Sequence, residues 1–180
     1  MIDLIRQNIS YGETIPVSPH KQEIIDYGTS IRKVSNYNDG DSIKDLIFKY
    51  GGNIHFVDGF NRFGMPRTVI IHATCDFDIC LSRYTSSSKD NFELIRCLGH
   101  YIIHSSCGSR PLLINKPCSH LVEWQANWFA IGFLMPELKL KEDYITNRGR
   151  LDLVALLYKL PLDIVKIRAE SLQLDWFYII

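Results

Sequence analysis

The stretch from Asn91 to His104, reading Asn-Phe-Glu-Leu-Ile-Arg-Cys-Leu-Gly-His-Tyr-Ile-Ile-His, constrains the fold more than any other part of the chain. Phe92, Leu94, Ile95, Leu98, Ile102 and Ile103 leave almost no polar face, which predicts a helix over residues 90–104 buried on most sides. Other elements must therefore be arranged to cover it. Gly99 is expected to let a second backbone approach closely. Arg96 and His100 lie four apart and so share one helical face.

Around that helix the rest of the chain reads as an alternation of short elements. Pro16 and Pro19 mark a loop, and Ser18 is placed to cap a helix over residues 20–34. Ahead of it, Ile2, Leu4, Ile5 and Ile9 fit a short helix or an edge strand. A second helix is predicted over residues 42–50, with Ile43, Leu46 and Ile47 on one side and Gly51-Gly52 ending it. Three β-rich runs follow at residues 53–57, 68–73 and 77–83, the last two close enough to form a hairpin. Residues 105–119 contain Gly108, Pro111 and Pro117 and read as a loop. A helix over residues 120–134 carries the stripe Val122, Ala126, Phe129, Ala130 and Phe133. A charged linker is expected at residues 139–150, then two helices at 151–159 and 162–172 with Leu160-Pro161 as the corner. The chain closes on the apolar run Trp176-Phe177-Tyr178-Ile179-Ile180.

Charge and cysteine usage narrow the partners and the compartment. Twenty basic residues balance twenty acidic ones, and a neutral chain is poorly suited to broad contact with a phosphate backbone. Five cysteines (Cys75, Cys80, Cys97, Cys107 and Cys118) form no CxxC pair, which fits reduced thiols better than a disulfide framework. Residues 1–10 hold no apolar core of roughly 7–15 residues, so no signal peptide is expected. No run of about 18 apolar residues occurs, so no membrane span is expected either. The expectation is a cytoplasmic protein.

Two motifs carry the chemistry. The first is Arg96-Cys97-Leu98-Gly99-His100-Tyr101 with His104 four residues on; the second is Glu123-Trp124-Gln125-Ala126-Asn127-Trp128-Phe129-Ala130, closed by Phe133-Leu134-Met135-Pro136. Together they resemble the ImmA/IrrE family of zinc metallopeptidases, over about residues 40–174. That resemblance implies an α+β, small zincin-like domain: a short, mostly antiparallel sheet, a central helix of the active-site type, and flanking helices. It also implies a division of the chain into an N-terminal extension with a helix (1–38), a (pseudo)peptidase domain (39–174) and an apolar tail (175–180).

Working members of the family carry His-Glu-x-x-His, in which both histidines bind zinc and the Glu deprotonates the metal-bound water. The third ligand is the Glu of the second motif. Carried onto this chain, the ligand positions are Arg96, His100 and Glu123, and the general-base position is Cys97. A guanidinium has no lone pair to give a cation and stays charged, so Arg96 is expected to repel zinc and to pair with Glu123 in a vestigial site. A thiol is a poor water-activating base. No catalytic residue and no cofactor are therefore expected. The alternative is a zinc site formed by Cys97, His100 and Glu123, with cleavage of the partner as its outcome.

Several weaker signals stand beside these. A His100–His104 ligand pair would place Tyr101 at the base position, but a structural His104 is preferred. Cys107, Cys118 and His120 match no metal spacing. Trp124 and Trp128 read as core packing, with a partner surface as the alternative. The helix pair over residues 153–172 is compatible with a helix-turn-helix reader offering Lys166 and Arg168, but Asp163 and Glu170 offset them, so structural packing is preferred and direct nucleic-acid binding is not expected. The resemblance implies a protein that binds a helix-turn-helix repressor, or a related regulator of a phage or mobile element, without cutting it. A groove beside the strands would receive the partner by strand addition.

Overall fold

Alternation along the strands decides which side of the sheet is core. The computed structural model describes residues 4–17, 20–58, 68–115 and 119–174. Strands β1 (Gly52–Val57), β2 (Thr68–Ala73), β3 (Asp76–Ser82) and β4 (Leu112–Ile114) form one sheet in the order β1-β3-β2-β4. β1 runs parallel to β3, while β2 is antiparallel to both β3 and β4, so the sheet is mostly antiparallel as expected. Val69, Ile71, Phe77, Ile79 and Leu81 join the main core, whereas Ile70 and Cys80, of opposite parity, form a smaller cluster with Leu4.

Helix α3 (Ser87–Gly99) lies in that main core, capped by Ser86, whose side chain accepts the Lys89 N–H. It does not continue as an α-helix to His104. Residues His100–His104 form a π-helical turn, closed by Ser105 N–H on His100 O at 3.1 Å. The remaining helices are α1 (Lys21–Val34), α2 (Ile43–Lys49), α4 (His120–Leu134), α5 (Glu137–Thr146), α6 (Leu151–Tyr158) and α7 (Leu162–Ser171). Among the described residues, no helix is long and apolar enough to cross a membrane.

Helices α1 and α4 cross at backbone distance because glycine stands on both sides of the contact. A Cβ on Gly28 would lie 2.3 Å from Phe129 O, and one on Gly132 would lie 2.2 Å from Ile25 O. Gly99 acts differently from expectation: its missing side chain admits the ring of Phe129, 2.8 Å from where a Cβ would stand, rather than another backbone.

Two further stretches differ from what the sequence suggests. Residues 105–119 are not all loop, since Leu112–Ile114 pairs with β2. The stretch read as a charged linker is mostly helix α5, because Leu140 and Tyr144 recur four apart and are buried while lysines line the solvent side. The first helix begins at Lys21 after His20; the expected cap, Ser18, lies outside the described residues, as does the tail 176–180.

Candidate functional site

Arg96 sits at the crossing of α3 and α4, 1% exposed, in a place apolar side chains would normally fill. Its Nε donates to Glu93 Oε2 at 2.8 Å. Its Nη1 donates to Glu123 Oε2 at 2.9 Å and to His100 Nε2 at 2.9 Å. Glu93 is one turn earlier on α3, and Glu123 is in the first turn of α4, where the helix dipole favours an anion. Burial opposes the guanidinium's charge, but Cys97, Glu93 and Glu123 outweigh it and raise the pKa further. The result is a buried cation held between two carboxylates, with one imidazole on the same nitrogen.

A string of hydrogen bonds runs from this cation, and its direction can be worked out from its far end. Gln125 Oε1 accepts the Val17 N–H at 3.2 Å, so the oxygen of that amide faces the string. His104 Nε2, 3.0 Å from the same oxygen, must carry a proton and donate. In a neutral ring His104 Nδ1 is then an acceptor, and it takes the proton of His100 Nδ1 across 3.1 Å. That leaves His100 Nε2 as the acceptor for Arg96. Both rings are fully buried. Burial is the main cause that pushes the His100 pKa down to about 3, with Arg96 and His104 acting the same way against the pull of Glu123. Burial also lowers His104. Neutral imidazoles satisfy every contact of the string.

As placed, these residues do not fit a zinc ion. Zinc wants donor atoms about 2.0–2.3 Å away, arranged around a point left free for it. Here the lone pair of His100 Nε2 is taken by a guanidinium proton, and the same proton-bearing group occupies the Glu123 oxygen. His100 Nε2 and Glu123 Oε1 are 3.6 Å apart, too far for a hydrogen bond. Cys97 is buried and its Sγ faces Arg96 Nη2 at 3.8 Å. Among the described residues, no group of three or more His, Cys, Asp or Glu has a metal-holding arrangement. No carboxylate stands at the base position. The arrangement binds charge to charge.

The remaining sequence candidates fall elsewhere. Tyr101 turns away from the string, stacks on Phe77 with ring centroids 4.4 Å apart, and accepts the Cys75 N–H at 2.9 Å. Cys107 is exposed, and Cys118 lies outside the described residues. Arg168, offered by the sequence for phosphate contact, is buried and donates to Met135 O, so it serves the corner between α4 and α7. Trp124 and Trp128 pack on the core and also line a cleft of about 520 Å³ with Phe92, Glu93, Ile164 and Ile167. Lys21 Nζ stands 3.6 Å above the Trp128 ring.

Sequence reasoning missed Glu93 and Gln125. Glu93 was visible as an acid between the apolar residues Phe92 and Leu94, three residues before Arg96. Gln125 lies within the second motif, where nothing in the spacing marks it out. A second polar cluster was missed altogether. On the sheet face away from α3, Asp78 accepts from His55 Nε2 and His72 Nε2, each at 2.7 Å, and Tyr11 Oη meets His72 Nδ1 at 2.8 Å. Burial works to raise the Asp78 carboxyl, but the two histidine hydrogen bonds outweigh it and hold it below its usual value.

With this geometry in view, three comparisons can be set beside it. The family model for the M78 peptidases, described as the IrrE N-terminal-like domain, matches residues 63–170. No match to the sequence is found among curated proteins. Among solved structures, a Mycobacterium tuberculosis transcriptional regulator superposes with a TM-score of 0.56 at 14% identity, covering 79% of this chain and 45% of the regulator. This chain thus spans less than half of that protein, and the likeness concerns the fold alone.

Proposed function

Because the chain belongs to the IrrE N-terminal-like family of M78 peptidases, we propose that it is a member in which a fixed cation has replaced the metal, and that it acts by binding a protein partner without cutting it. The observation that carries this reading is the Arg96 guanidinium, 2.9 Å from Glu123 and 2.9 Å from His100, between the two ligand positions the family motif retains. A permanent positive charge there takes up the negative charge of Glu123 and keeps the α3–α4 crossing intact without an ion. Cys97 leaves the base position without a group to accept a proton from water.

The partner we assign is a helix-turn-helix repressor, or a related regulator of a phage or mobile element. The family resemblance supports that assignment, and the shared fold with a protein named as a transcriptional regulator is compatible with it. Thiols at Cys75, Cys80 and Cys107 fit a reducing, cytoplasmic setting, which we assign to the protein.

The test is to mix the purified protein with a purified helix-turn-helix repressor of the assigned class, with and without zinc. A stoichiometric complex on size exclusion, with the repressor intact and no effect of a chelator, is the expected result. Zinc-dependent cleavage of the repressor that is lost on Glu123→Ala would contradict the reading.

A further inference from the structure

Residues 4–17 form an arm with no helix and no strand of their own, and only Leu4 within it is buried. The arm crosses the molecule on a series of polar contacts. Arg6 forks onto Asp76 at 2.5 and 2.8 Å, and Tyr11 Oη reaches His72 Nδ1 at 2.8 Å. Gly12 N–H then donates to Pro111 O at 2.9 Å and bridges Leu112 in parallel. Further on, Arg110 Nη2 donates to Glu13 O at 3.3 Å, and Val17 N–H ends on Gln125 Oε1 at 3.2 Å.

This path joins two features already described. β4 is the last strand on its side of the sheet, paired with β2 on one edge, and the arm takes up the other edge at a single bridge. The arm also closes the hydrogen-bond string that starts at Arg96, because Gln125 Oε1 is shared by Val17 and His104. A strand edge offers main-chain donors and acceptors that recruit an extended segment by strand addition. One bridge uses little of that capacity. Ile15 and Val17 are 56% and 51% exposed, so little apolar burial holds the arm down. An element with few buried contacts opens at a free energy far below that of global unfolding.

We propose that residues 11–17 are a displaceable strap, which occupies the β4 edge in the resting protein and yields it to an extended segment of the partner protein. The incoming segment pairs with residues 112–114 and meets Gln125 where Val17 had been. This rests on the protein-binding reading above and adds to it the place of contact and its control. An internal competitor lowers the partner's apparent affinity by the fraction of molecules whose edge is open, so loosening the strap tightens binding.

Two measurements test it. By amide hydrogen exchange on the full chain, the Gly12 and Val17 amides are expected to exchange at least about a hundredfold faster than the β3 amides. Exchange of the arm only as slowly as β3 would overturn the proposal. The second uses a fluorescent peptide with the sequence of residues 9–17 as probe. It is expected to bind a Tyr11→Phe, Gly12→Pro double variant at least about tenfold more tightly than the wild-type chain, since proline removes the N–H that meets Pro111. Equal binding to both would overturn it. Should the double variant fail to fold, Arg6→Ala, which releases the exposed pair with Asp76, replaces it, with a gain of about two- to fivefold expected and no gain overturning the proposal. The probe is the protein's own arm, so both results stand even if the regulator is misassigned. Conversely, a regulator that bound wild-type and loosened chains equally would sink the strap and leave regulator binding standing.

Discussion

The Arg96 and Asp78 clusters are opposites in charge. Between α3 and α4 a guanidinium is surrounded by the carboxylates of Glu93 and Glu123; on the far face of the sheet the carboxylate of Asp78 is surrounded by His55 and His72. In the first cluster the centre is a charge that no ordinary pH removes, and its imidazole neighbours are held neutral. In the second the centre is itself an acid. The first is therefore a fixed support, and the second loses its central charge in strong acid. The difference matters for the proposed function because the fixed centre lies at the positions that the family resemblance assigns to metal ligands, where exchange of protons and metal is what working enzymes require.

Breaking the fixed centre should have the largest effect. Arg96→Met keeps much of the volume and leaves the buried Glu93 and the partly buried Glu123 without their cation, with an expected loss of roughly 3–5 kcal/mol in urea unfolding. A loss under about 1 kcal/mol would show that the cation is not what holds the crossing. Acid separates the clusters next. His100 has a folded pKa near 3, below its unfolded value of 6.5, so its neutral form stabilises fully above that value. The contribution falls as pH drops from 6.5 toward about 3, reaching a loss of about 2 kcal/mol by pH 5. His100→Gln is expected to flatten the slope in that window.

Asp78 behaves differently on the same axis. Its folded pKa is lowered from 3.8, so its contribution is present above that value and lost only as pH falls below it. Asp78→Asn should therefore cost about 1.5 kcal/mol in urea unfolding at neutral pH, and less once pH falls below the ordinary carboxyl range. The smallest effect is expected from Tyr11→Phe, which removes one hydroxyl contact to His72: under about 1 kcal/mol globally, with faster exchange confined to the arm.

How much of this was legible depended on the range of each interaction. α3, α4 and the first three strands were readable, because Leu94, Ile95 and Leu98, or Ile79 and Leu81, repeat at the spacing of their element. β4 was not, since Leu112–Ile114 is too short to show a period and lies between Pro111 and other loop residues. α5 was hidden because Lys139, Lys141 and Glu142 diluted the Leu140–Tyr144 pair. The π-helical turn at His100–His104 has no signature in residue type, yet it is the turn that carries both histidines of the string. Arg96, His100 and Glu123 were named from motifs, whereas Glu93 needed only the rule that residues three apart on a helix meet. The Asp78 cluster draws on residues 11, 55 and 72, and only the folded sheet brings those together.

The most direct test of the account is the zinc content of the full chain after equilibration with zinc and removal of the excess, compared with the double substitution Arg96→His, Cys97→Glu. Restoring a ligand and a base at those two positions is expected to give about one zinc per chain, and the wild-type chain well under a tenth of that. One zinc per wild-type chain, lost on Glu123→Ala, would contradict the claim that a guanidinium stands where the family holds its metal.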